Sequence, residues 1–132
     1  LIDNRALTIL CYEPGYTLVK KLQAISTKYR LDQETEKFPV NFLRHYYDVY
    51  CLLDQPDVQT FIGTKAYNVN KDRRFPKLDN KVISSNPAFS LSEPVAFRRY
   101  EHAYEQTADL YHHGRPSLKE ILARIASCAE RL

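Results

Sequence analysis

Only one stretch of this chain reads as a β-strand, and a single strand cannot make a sheet. Residues 6–14, ALTILCYEP, are rich in Leu, Ile, Thr and Tyr and stop at Pro14-Gly15, a turn signal. The backbone edges of such a strand need partners. The rest of the chain offers none, because its apolar residues recur every three or four positions, which is the helical period. The expected fold is therefore mainly α, a helical bundle of about five helices with one N-terminal strand whose partners lie in preceding sequence. Residues 1–16 form the strand and its turn in this reading, and residues 17–132 the helical domain.

Thr17 reads as an N-cap, and TLVKKLQAISTKYR then places Leu18, Leu22, Ile25 and Tyr29 on one face. Lys20 falls almost opposite that stripe, whereas Lys21 falls about 60° from it, at the margin of the buried face. The polar run LDQETEKFP reads as a loop ending at Pro39, after which Asn41 can cap a helix running to Leu53. Pro56 suits a first helical turn, and the residues from Asp57 to Phe75 read as one helix with Val58, Phe61, Ile62 and Lys65 at helical spacing and Gly63 as its weak point. Residues 75–91 hold two prolines and several turn formers, an ordered but irregular connection.

Ser92 caps the next helix, with Ala96, Tyr100, Ala103, Tyr104, Thr107 and Tyr111 turned inward and Gly114 as its stop. A capping box, Ser117-x-x-Glu120, opens the last helix, whose apolar side is Leu118, Ile121, Leu122 and Ile125.

At 132 residues the chain suits one domain or part of one. Nineteen basic against 16 acidic residues leave a net charge of +3, a mild excess that favours phosphate-bearing partners without requiring them. Cys11, Cys51 and Cys128 lie far apart, without the spacing of a zinc site or a disulfide framework, so they read as buried thiols. No apolar run approaches the roughly 20 residues of a membrane span, and no signal-peptide pattern is present, which points to the cytoplasm.

The stretch RHYYDVYCLL, residues 44–53, carries charge inside a run that otherwise reads as buried. With Arg44 set at 0° on a helical wheel, Phe42, Leu43, Tyr46, Val49, Tyr50 and Leu53 fill an arc from about 140° to 260°. Arg44, His45 and Asp48 fall between 0° and about 100°, beside Cys51. The helix thus has an apolar face and a compact polar one. Such a face makes a surface Arg44–Asp48 ion pair and nothing more, unless another element brings a partner to it. Lys21 is the candidate partner, with Asp48 orienting its ammonium group and Lys21 and Arg44 meeting a phosphate. Lys65 reads as an edge lysine or a ligand contact. The run NKDRRFPK, with Lys71, Arg73, Arg74 and Lys77, would suit an RNA backbone or simply solvent. No catalytic triad order, glycine-rich phosphate loop or metal-ligand spacing occurs.

Four segments carry a resemblance. EPGYTLVKKL is similar to the strand-proline-helix segment T-F-W-E-K-L of the AbiEii/AbiGii nucleotidyltransferase toxins, and RHYYDVY to their R-H-Y-Y-D-L-Y. GTKAYNVNKDRRF loosely matches their H-K helix, and PSLKEIL their P-S-F-D-E-I-L. The chain departs from the pattern at Lys20, where the family has glutamate, and at Val19, where it has tryptophan. Nearly the whole chain resembles the C-terminal portion of these bacterial proteins of abortive-infection and toxin–antitoxin systems.

The resemblance implies a polymerase-β-like enzyme whose α/β core, holding the metal-binding acidic pair, precedes these residues. The N-terminal strand would be a remnant of that core. Lys21 and Asp48 correspond to the family's later catalytic lysine and aspartate, and Arg44, His45 and Lys65 would bind substrate. The reaction would need Mg²⁺ and an NTP, neither of them held by these residues alone, so that the helical portion would be inactive by itself. The nucleotide would go to an acceptor such as tRNA, and an antitoxin protein would be a partner. The alternative, from the helices alone, is a non-catalytic protein-interaction domain.

Overall fold

Leu18, Leu22 and Ile25 are all fully buried, as their spacing requires. They belong to the longest helix, α1, Pro14–Thr35. The computed structural model describes residues 14–35, 43–106 and 116–132. Helix α1 begins at Pro14, which tolerates the first turn because its missing N–H would have no partner there. Thr17 is therefore inside the helix and is not its N-cap. Gly15 is buried against the ring of Phe61, so closely that a Cβ would lie 2.6 Å from its Cγ. The helix also runs through LDQET as far as Thr35, correcting the expected loop. Asp32 explains the extension. It continues the Leu18, Leu22, Ile25, Tyr29 spacing onto the inner face, where it is 1% exposed and held by partners from distant sequence.

Helix α2, Arg44–Leu53, buries Tyr46, Val49 and Leu53. The helix expected to follow is two. Helix α3, Pro56–Phe61, stops before Gly63, whose φ of 88° breaks the helical path, and α4, Lys65–Arg74, starts afresh with Thr64 accepting from the Tyr67 N–H. The irregular connection contains a 3₁₀ turn, Ile83–Ser85, and the short α5, Pro87–Ser90, capped by Asn86. Helix α6 spans Pro94–Gln106. Its first turn is capped by the Glu93 carboxylate, which accepts from the Ala96 N–H at 2.8 Å, rather than by Ser92. Helix α7, Leu118–Cys128, has both halves of the Ser117/Glu120 capping box and buries Leu118, Ile121, Leu122 and Ile125.

Among the described residues there is no strand, and no helix is long and apolar enough to cross a membrane. The expected strand, the Asn41 cap, Cys11, Thr107, Tyr111, His112, His113 and Gly114 lie outside the described residues. Of the other cysteines, Cys128 is buried but Cys51 is exposed, because it shares the polar side of α2 with Arg44.

Helix α1 is the hub, packed against α2, α3, α4 and α5, while α7 closes the far side on α2, α5 and α6. Three fully buried tyrosines bind the elements together, each donating its hydroxyl to a buried acceptor. Tyr46 donates to the Ala88 carbonyl at 2.6 Å, Tyr67 to the Leu132 carbonyl at 2.6 Å, and Tyr100 to Asp32 at 2.9 Å. Burial raises the pKa of all three phenols, so they remain protonated donors.

Two buried carboxylates complete the frame. Arg99 grips Asp32 through two nitrogens, each at 2.7 Å. Asp79 accepts from Arg30 and Thr27, pinning the long connection to α1.

Candidate active site

Lys21 and Asp48 reach one another from different helices. Lys21 borders the buried stripe of α1, a turn beyond Leu18 and a turn before Ile25. Asp48 sits one turn after Arg44 on α2, next to buried Val49. Packing of α1 on α2 therefore brings the two margins together, and Lys21 Nζ lies 3.1 Å from Asp48 Oδ2. Each side chain is 25% exposed. That burial is enough to orient the pair and too little to close it off from a ligand.

His45 completes the group. It is half-buried, and its Nδ1 is enclosed without a hydrogen-bond partner among the described residues. Burial lowers the imidazole pKa, the charge of Lys21 lowers it further, and Lys28 and Arg44 add to the effect against the opposing Asp48. The ring is thus neutral at pH 7 and can accept or donate one proton in a hydrogen bond. Arg44 is exposed on the same helix, and among the described residues no carboxylate pairs with its guanidinium. Asp48 is taken by Lys21, so the Arg44–Asp48 surface pair is not formed.

Lys65 stands apart from this group. It is exposed on the first turn of α4 and lines a groove against Tyr16 of α1. Lys71 turns inward, donating to the Leu132 carbonyl beside the Tyr67 ring, and burial lowers its pKa. It is the one member of the NKDRRFPK run tied down in this way among the described residues; Arg73, Arg74 and Lys77 are exposed. Among the described residues no three His, Cys, Asp or Glu side chains converge to hold a metal ion. The helical face thus brings together an oriented ammonium, an exposed guanidinium and a neutral imidazole.

The sequence profile of the Nucleotidyl transferase AbiEii toxin family, Type IV TA system, matches residues 1–124. The chain belongs to this family. No curated protein and no solved structure matches it. AbiEii membership makes the chain part of a nucleotidyltransferase toxin family of toxin–antitoxin systems. The AbiEii-type motifs read in the sequence fall on α1, α2, α4 and α7. Two of them, on α1 and α2, are joined by the Lys21–Asp48 pair.

Sequence reasoning missed Asp32, Asp79, Arg30 and Arg99, which find partners 49 to 68 residues away. Only Asp32 carried a local signal, its place on the apolar stripe of α1.

Proposed function

We propose that the Lys21–Asp48 face is the helical half of a nucleotidyltransferase site that moves a nucleotide from an NTP to an RNA acceptor such as tRNA, in the bacterial cytoplasm. The observation that carries the reading is the 3.1 Å ion pair between the two residues that match the family's lysine and aspartate, left one-quarter exposed. Asp48 fixes the Lys21 ammonium. Lys21 then contacts the nucleotide phosphates and offsets the negative charge that grows as the acceptor oxygen bonds to the α-phosphorus and pyrophosphate departs. Arg44, exposed beside the pair, gives a second phosphate contact, and the neutral His45 ring gives a hydrogen bond to a nucleotide hydroxyl or amide. Mg²⁺ and the rest of the nucleotide cradle are assigned to a preceding core, so this helical portion alone is inactive. An antitoxin opposes the toxin in the cell, in a toxin–antitoxin system that serves abortive infection.

The test is the intact protein incubated with labelled NTPs, Mg²⁺ and cellular RNA. Label is expected in RNA and lost with Asp48→Ala. Wild-type labelling by Asp48→Ala would count directly against the assignment.

A further inference from the structure

A concave surface lies between the start of α1 and α4. It has a volume of about 400 Å³ and is lined by Tyr16, Lys65, Ala66, Val69, Asn70 and Arg73. Its floor is apolar and open: Tyr16 is 41% and Val69 45% exposed, which is costly surface to leave in water. Its rim is cationic. Lys65 and Arg73 stand eight residues apart on α4, about 12 Å along the axis, and neither is paired with a carboxylate among the described residues. Lys20, exposed one turn along α1 from Tyr16, adds a third cation, and among the described residues no carboxylate lines the groove.

Tyr16 is held in place from behind, its ring 4.9 Å from that of Phe61, which in turn meets Tyr67 edge-on at 5.9 Å.

We infer that this groove binds a single-stranded segment of the RNA acceptor, with a base stacked on Tyr16 and phosphates on Lys65 and Arg73. A braced aromatic plane flanked by cations is what single-stranded nucleic acid requires, since every base has a flat face and every linkage a charge. An acidic peptide would use the cations but would leave the aromatic floor uncovered. Tyr16 and Lys21 are five residues apart on α1, about 7.5 Å along its axis, so a strand in the groove runs beside the helix that carries the transfer site. The inference rests on the proposed nucleotidyl transfer to RNA and adds where the acceptor is held.

The experiment is fluorescence anisotropy of the intact protein with labelled oligouridine over a salt series, alongside equilibrium NTP binding. Lys65→Glu with Arg73→Glu is expected to weaken oligouridine binding at least about tenfold and to flatten the log affinity against log salt slope by about 0.7 per cation removed, while Arg73→Glu alone leaves NTP affinity unchanged. Tyr16→Phe should bind as the unsubstituted protein does, and Tyr16→Leu about fivefold or more weaker. Both cations are exposed, so a thermal melt should report the double variant as folded.

Unchanged affinity and salt slope in the double variant would overturn the inference. Equal binding of polyglutamate and oligouridine would also overturn it, in favour of an acidic protein partner. A protein that labels no RNA at all, yet loses oligouridine binding with the double variant, would refute the transfer reading and keep the groove.

Discussion

Two of the ion pairs on helix α1 use the same chemistry and live in opposite surroundings. Near its C-terminal end, Asp32 is 1% exposed, gripped through both oxygens by Arg99 and bonded again by the Tyr100 hydroxyl. Near its middle, Lys21 meets Asp48 through one oxygen at 3.1 Å, both side chains are 25% exposed, and a neighbouring imidazole nitrogen has no partner among the described residues. The first arrangement is complete: its charges are neutralised, its hydrogen bonds are made, and it has nothing left to offer a ligand. The second is oriented but open. A carboxylate–cation pair becomes a candidate for chemistry through what is left unsatisfied around it, not through its charges.

The largest effect that could break this contrast is on stability. Asp32→Ala removes the only carboxylate that faces Arg99 and Tyr100 among the described residues, and should cost about 3 kcal/mol in a denaturant melt, less than a fully buried pair because Arg99 is 37% exposed. Gly15→Ala should follow at about 2 kcal/mol, since the added methyl overlaps the Phe61 ring that braces Tyr16. Asp48→Asn should cost under about 1 kcal/mol, because a quarter-exposed pair gains little from its Coulomb attraction. A melting loss as large as that of Asp32→Ala would erase the distinction between the two pairs.

The smallest effect is a pH dependence. Burial and the Lys21 charge lower the folded-state pKa of His45, with Lys28 and Arg44 acting the same way and Asp48 opposing. The unfolded chain therefore binds more protons below about pH 6.5, and stability contributed by the neutral ring is present above that pH and lost as pH falls toward the lower folded value. His45→Gln should flatten stability between pH 7.5 and pH 5.5, measured as the difference in melting midpoint against the unsubstituted protein.

Much of this was legible before any coordinates. The apolar repeat from Leu18 to Ile25, the two faces of α2 and the Ser117/Glu120 box are local patterns, and local patterns name helices. The margin position of Lys21 and the polar-face position of Asp48 followed from the same 100° step, and the side chains meet where those positions put them.

What escaped was set from a distance. LDQET looks like a loop because it is polar, yet Arg99, 67 residues away, turns Asp32 inward and carries the helix to Thr35. Nothing near Asp79 announces that Arg30 and Thr27 will bury it. The break at Gly63 was visible as a weak point, but its weight depended on Thr64 being able to cap a new helix. The Tyr16 groove is also a product of packing, since Tyr16 and Arg73 share a surface only after α1 meets α4.

The central claim is that the open pair works and the closed pair holds. The most direct measurement is transfer of label from NTP to RNA by the intact protein carrying Asp48→Ala, with its thermal melt recorded on the same sample. The account predicts a loss of transfer of at least about a hundredfold with the melting midpoint nearly unmoved. Transfer at the unsubstituted rate, or loss of transfer only in step with unfolding, would contradict it.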